Sequence, residues 1–288
     1  MIQAKDSYIL GFSCTDRIGI VAAVSSFLVG HDGFILDSQQ YADLQHGRFF
    51  MRVEFTLLGD QSPDRKALKR GFAPVAADFD MDWTLVSAKD RVRVMIAVSR
   101  ASHCLNDLFH RWHTGNLPVD IVGVVSNHDR LRQLAEWYQV PFNHLPVGPD
   151  TRRDQEARIL ELIESANADY LVLARYMQVL SPNLVRELEG RCINIHHSFL
   201  PGFKGARPYR RAHDRGVKLI GATAHFVTSE LDEGPIIEQD VDRVDHRSTE
   251  ADLVRIGKDI ESRVLARAIH WTAERRVFLN GARTVVFR

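Results

Sequence analysis

The sequence predicts an α/β protein in two parts: an N-terminal ferredoxin-like α+β domain, then a larger doubly wound domain with a mostly parallel sheet. Three observations carry this. Residues 7–86 alternate apolar segments in the order β-α-β-β-α-β. From residue 92 onward, continuous apolar runs of strand length are separated by amphipathic segments, the pattern of a parallel sheet covered on both faces. Between them, Ser87-Ala88-Lys89-Asp90-Arg91 is a short polar stretch. The expected division is therefore residues 1–86, a linker at 87–91, and a second domain at 92–288.

Tyr8 to Cys14 reads as a strand and Gly19 to Val29 as an apolar helix. Phe34 to Leu44 and Arg48 to Leu57 form a hairpin around His46-Gly47. A helix runs from Pro63, suited to a first turn, to Phe79, with Pro74 as a candidate break. Met81 to Val86 closes the unit. In the turn after the first strand, Asp16 is placed to cap the helix and Gly19 to let a ligand approach the backbone. The same residues also suit a plain strand-to-helix turn.

In the second part, strands are expected at Val92–Ser99, Asp120–Val125, Tyr170–Ala174 and Cys192–Ile195. Helices are expected at Cys104–Thr114, Asp129–Tyr138 and Arg152–Ala166, and from Ser181-Pro182 to Leu188. Leu219–Val227 and Ile236–Val244 are later strands, and Thr249 to about Arg276 is a long helix. Ligands on such sheets bind beyond the carboxyl ends of the strands.

Bulk properties narrow the function. The 288 residues carry 37 Lys and Arg against 37 Asp and Glu, with no basic block, so no nucleic-acid footprint is visible. No apolar run reaches membrane-span length, and Met-Ile-Gln-Ala-Lys-Asp lacks a signal peptide's apolar region. Cys14, Cys104 and Cys192 are isolated, as expected for reduced thiols of a cytoplasmic protein.

The chemistry concentrates at Asn194-Ile195-His196, a strand end whose alternate residues share one face. A carboxamide beside an imidazole suits a carbonyl that becomes an oxyanion, the amide stabilising charge and the ring holding or moving a proton. Asp232, in Leu231-Asp232-Glu233-Gly234-Pro235, suits both a turn and a catalytic carboxylate. His225 shares a strand face with Thr223 and Gly221, which fits a pocket wall or a satisfied core histidine. His196, His213, His225 and Asp232 are candidate zinc ligands, but no His-x-x-x-His or Cys-x-x-Cys spacing occurs and Asn194 is a poor ligand, so no metal is expected. Ser198 has no Gly-x-Ser-x-Gly elbow around it, which argues against a serine triad.

Asn194-Ile195-His196, Ser198-Phe199-Leu200-Pro201, Gly221-Ala222-Thr223-Ala224-His225 and the Asp232 loop together resemble the folate-dependent formyltransferase family. The fuller string through His197, with Gly205-Ala206-Arg207-Pro208-Tyr209, is most similar to its deformylase branch. The resemblance implies that Asn194, His196 and Asp232 are catalytic. It also implies that Arg175-Tyr176-Met177-Gln178-Val179-Leu180 hold the pterin head through backbone groups and an apolar wall. Thr15-Asp16-Arg17-Ile18-Gly19-Ile20-Val21 resembles the start of an ACT domain, a small-molecule sensing module. That implies an effector such as glycine or methionine near Asp16, Arg17, Ile18 and Gly19, in a homo-oligomer.

Ribonucleotide-using relatives carry a glycine-rich phosphate loop where this chain has Val98-Ser99-Arg100-Ala101-Ser102-His103-Cys104. Without an acceptor-phosphate loop, water becomes the natural formyl acceptor. The expected reaction is hydrolysis of 10-formyltetrahydrofolate to formate and tetrahydrofolate, with folate as substrate and no separate cofactor; the alternatives are formyl transfer to an amine acceptor and a non-catalytic regulator that binds folate or an amino acid. The resemblance implies a role in supplying formate for purine synthesis and in balancing one-carbon folate pools.

Overall fold

A computed structural model describes residues 6–58, 64–148, 150–202 and 208–288, and it divides into two compact units. The first contains residues 1–91 with the segments 274–278 and 285–288; the second contains 92–273 and 279–284.

In the first unit, β1 (Ser7–Thr15), α1 (Ile20–Val29), β2 (Gly33–Asp43), β3 (Arg48–Leu57), α2 (Arg65–Asp78) and β4 (Asp82–Ser87) follow one another. The strands form an antiparallel sheet in the order β2-β3-β1-β4. Leu10, Phe12, Val53 and Phe55 from the sheet meet Val24, Leu28, Leu68 and Phe72 from the helices in one core.

Two expectations need correction here, and a third falls outside the described residues. Pro63 lies outside the described residues; α2 starts after Asp64, whose side chain accepts from the Ala67 N–H at 2.7 Å. Pro74 does not break α2, because its ring is exposed while Leu68, Phe72 and Ala76, one turn apart, stay anchored in the core. Asp16 does not cap α1. The N-cap is Gly19, left-handed at φ 98° with no side-chain cap, and the Asp16 N–H instead bonds the Gly47 carbonyl at 2.9 Å.

The second domain does not keep the whole C-terminus. Arg52 is buried on β3 and needs acceptors for its guanidinium. It finds Asp37 and Glu54, each at 3.1 Å, and the Glu274 carbonyl at 3.1 Å. Phe278 sets its ring edge-on to Phe50 and Phe287. These contacts bind the tail segments into the first unit.

The second unit contains β5 (Val92–Val98), α3 (His103–His113), β6 (Val119–Ser126), α4 (Arg132–Trp137), β7 (Phe142–His144), α5 (Arg152–Ser165) and β8 (Tyr170–Leu173). Then come α6 (Pro182–Glu187), β9 (Cys192–His196), α7 (Pro208–Asp214), β10 (Leu219–Phe226), β11 (Ile236–Arg243) and α8 (Glu250–Ala273). The short strands β12 (Val277–Asn280) and β13 (Arg283–Val286) pair with each other. The sheet order is β11-β10-β9-β8-β5-β6-β7. Strands β5 to β9 run parallel to one another, and β10 runs antiparallel to both β9 and β11. The sheet is thus mostly parallel.

Chain order reverses between β5 and β8. After β5 the chain builds outward through β6 and β7, then returns to build the other half from β8. The loops leaving β5 and β8 therefore diverge and open a crevice at the carboxyl ends. Beneath it, Met95, Ala97, Leu171 and Leu173 pack against Ile159, Ile163 and Leu184 of α5 and α6.

Candidate active site

A cavity of about 640 Å³ opens at that reversal point, a size suited to a small-molecule ligand. The loop after β8, the end of β9, the end of β10, the Asp232 loop and α8 line it. Asn194 and His196 reach it from one face of β9, as strand alternation requires. His225 is the cross-strand partner of Asn194 on β10.

Asp232 arrives from a loop that local geometry forces close. Its backbone is left-handed at φ 58°, uncommon outside glycine. Phe226 donates its N–H to the Pro235 carbonyl at 2.9 Å, pinning the loop to the end of β10. Gly234 lies so near that a Cβ there would sit 1.7 Å from the Phe226 carbonyl oxygen. Only glycine fits this approach, and the Asp232 carboxylate is delivered against His196 as a result.

The contacts set the proton positions. His196 Nδ1 lies 3.1 Å from Asp232 Oδ1, and its buried Nε2 has no hydrogen-bond partner among the described residues. His225 Nδ1 faces the Phe226 carbonyl at 2.8 Å, so Nδ1 carries the proton and Nε2 accepts. That Nε2 lies 3.2 Å from Asn194 Nδ2. One amide N–H of Asn194 is therefore held by His225, and the other is available to the cavity. Burial lowers the His225 pKa more than its carbonyl bond and Asp232 raise it, which keeps this acceptor neutral. Burial alone would raise the Asp232 pKa, but the hydrogen bond and the charge of His196 outweigh that and leave it below its ordinary value.

Arg175, Tyr176, Met177, Gln178, Val179 and Leu180 all line the cavity from the loop after β8. Met177 and Val179 expose apolar side chains, while Tyr176 is buried and donates to Gln155 Oε1 at 3.3 Å. Burial pushes the Tyr176 phenol up to about 12, so it stays a donor.

Sequence reasoning missed the wall formed by Glu261, His103 and Tyr209. Glu261, buried on α8, faces His103 Nε2 at 2.8 Å, Arg175 Nε at 3.3 Å and the Tyr209 hydroxyl at 2.5 Å. Tyr209 crosses α8 at Gly257, where a Cβ would lie 2.1 Å from its hydroxyl oxygen. The one signal in the sequence was a glycine inside a helix four residues before a glutamate. His197 also lines the cavity, its ring lying 5.1 Å from His196 and 6.2 Å from Tyr209.

Among the described residues, the candidate zinc ligands weighed and rejected from the sequence do not come together, since His213 is half exposed and pairs with Asp214 at 3.7 Å. The ligand atoms of His103, Cys104 and Glu261 do lie within 4.8 Å of one another. They fit a metal poorly, because Arg175 already supplies the positive charge at Glu261 and burial raises the Cys104 pKa well above its usual range. Arg100 points to His128, at 3.2 Å, while His103 turns inward to Glu261. In the first unit, Arg17 lies over the Phe79 ring at 4.3 Å, and Ile18 is fully exposed beside Gly19. Residues Gly205 to Arg207 of the sequence motif lie outside the described residues.

Comparison with known proteins places these features. Residues 92–269 match the family model described as "Formyl transferase". A formyltetrahydrofolate deformylase of Corynebacterium sp. (strain P-1) is 53% identical over 282 residues, covering 98% of each chain. One from Bacillus subtilis (strain 168) is 50% identical, covering 96% of this chain and 92% of the relative. The crystal structure of a formyltetrahydrofolate deformylase from Pseudomonas syringae pv. tomato superposes with a TM-score of 0.95 at 48% identity, covering 100% of this chain and 96% of that one.

Proposed function

The chain belongs to the formyl transferase family and, within it, to the formyltetrahydrofolate deformylases, and on that premise we propose that it hydrolyses 10-formyltetrahydrofolate to formate and tetrahydrofolate. One observation carries the site assignment. Asn194 and His196 line one cavity, Asn194 with the amide N–H that His225 does not hold and His196 with an Nε2 that has no partner among the described residues, while Asp232 braces His196 from behind. Water attacks the N10-formyl carbon. The free Asn194 N–H donates to the developing oxyanion, and the imidazolium of His196, with Asp232 as its counter-charge, donates from Nε2 to the same oxygen. Asp232 also takes the proton of the attacking water. The carbon–N10 bond then breaks as N10 takes that proton from Asp232, and formic acid leaves, losing its own proton to solvent as formate. Arg175 to Leu180 receive the pterin, and His225 orients Asn194. No metal or separate cofactor takes part, so chelator treatment leaves the rate unchanged.

The decisive measurement is formate release from 10-formyltetrahydrofolate by purified protein with no added amine. Strict dependence on a ribonucleotide or an aminoacyl-tRNA would sink hydrolysis and favour formyl transfer. In the cell the reaction supplies formate for purine synthesis and balances one-carbon folate pools. Three buried free cysteines support a cytoplasmic site for it.

The first unit acts as an ACT-type sensor in a homo-oligomer, taking a small amino acid such as glycine or methionine near Asp16, Arg17, Ile18 and Gly19. The positive φ of Gly19 and the exposure of Ile18 support this. The rate should change with glycine or methionine concentration, and Arg17→Ala should blunt the response. A wild-type rate indifferent to both amino acids would remove the sensor role.

A further inference from the structure

The cavity loop after β8 has little structure of its own. Residues 175–181 contain no helix or strand, Arg175 is left-handed at φ 65°, and Met177 and Val179 expose apolar side chains. Its shape comes from outside. The Met177 N–H donates to Ser99 Oγ at 2.9 Å at one end. At the other end, Ser181 donates its N–H to Glu156 Oε1 at 2.9 Å and its hydroxyl to Glu156 Oε2.

Glu156 is an odd residue for this position. It is 8% exposed on α5, and it forms no ion pair among the described residues. A buried carboxylate without a cation is costly unless strong donors satisfy it. Both donors come from Ser181, which also accepts from the Leu184 N–H as the N-cap of α6. The carboxylate thus ties the start of α6, and with it the loop's last residue, to α5.

We propose that Glu156 is a positioning residue for folate: by clamping Ser181, it pre-forms the backbone of residues 175–180 that receives the pterin. It sits outside the reacting group and acts on binding. A loop released from this clamp must be ordered by the ligand, so affinity falls while the bound site retains its chemistry. The inference rests on the hydrolase reading for the identity of the ligand.

The test measures kcat and KM with 10-formyltetrahydrofolate, and the Kd of tetrahydrofolate by direct binding, for the full chain. Glu156→Gln keeps the shape but replaces one acceptor oxygen with an amide donor. It should raise KM and Kd roughly tenfold or more, the scale of one lost charge-assisted hydrogen bond, with kcat within about threefold. Glu156→Asp should recover part of the loss. Ser181→Ala, which leaves α5 untouched, should shift the same constants in the same direction and stands in if Glu156→Gln does not fold. A fall in kcat at unchanged KM and Kd, or no change in any constant, would overturn the inference. Wild-type protein that neither binds tetrahydrofolate nor releases formate would instead remove the functional reading beneath it.

Discussion

Asn194 and His225 face each other across the antiparallel β9–β10 pair, with Nδ2 of one 3.2 Å from Nε2 of the other. The carbonyl of Phe226 holds His225 as an acceptor, and the acceptor in turn fixes which way the Asn194 amide points. A backbone oxygen on β10 thereby orients the donor that meets the substrate from β9.

His225→Ala should therefore damage turnover without removing any group that touches the formyl carbon. The expected loss in kcat is smaller than for Asn194→Ala, for which about 10²- to 10³-fold is expected of an oxyanion donor. In the double variant, His225→Ala should add little, because the amide it orients is gone. Fully additive losses in a double-mutant cycle would show that His225 acts independently of Asn194.

His196→Ala and Asp232→Ala should each lower kcat by orders of magnitude while the unfolding midpoint moves little. Asp232 braces His196 at 3.1 Å, so the two losses should overlap rather than sum. A folded Asp232→Ala protein with near-normal turnover would reduce Asp232 to a turn residue.

Gly234→Ala is expected to be among the most harmful small substitutions in the second unit. The added Cβ would sit 1.7 Å from the Phe226 carbonyl oxygen, so the loop must move away from β10 and carry Asp232 with it. Overpacking of this kind costs about 1–3 kcal/mol, readable as a shifted denaturant midpoint. Turnover should fall further than stability. An unchanged rate would mean that the loop can shift without displacing the carboxylate.

Acid should destabilise the second unit through His197. Burial first, and then the Arg175 charge, lower its pKa from 6.5 to about 3, against an opposing pull from Glu261. Between those values the unfolded chain binds a proton that the folded chain does not. Stability is therefore complete above pH 6.5 and falls as the pH drops toward about 3. Asp232, held below its ordinary 3.8, loses stability in the same direction once the pH falls below 3.8. Urea midpoints measured between about pH 7 and pH 4 should decline, and His197→Asn should flatten the slope. Equal slopes in both proteins would place the acid sensitivity elsewhere.

By itself, the sequence determined the run of strands and helices around the site and the sharing of one strand face by Asn194 and His196, because both follow from local periodicity. It also carried the motif order on which the family resemblance rests. It did not reveal β7, α7 or the β12–β13 pair, which are short and take their stability from neighbours rather than from their own pattern. Nor did it reveal that segments of the tail belong with the first unit, a consequence of where buried Arg52 finds its acceptors. The reach of Asp232 to His196, the choice of His225 as partner to Asn194, the Glu261 wall and the Glu156 clamp were all decided by tertiary structure. Each joins residues far apart in the chain, and their meeting depends on strand order, β10 register and helix packing, which no local window of sequence contains.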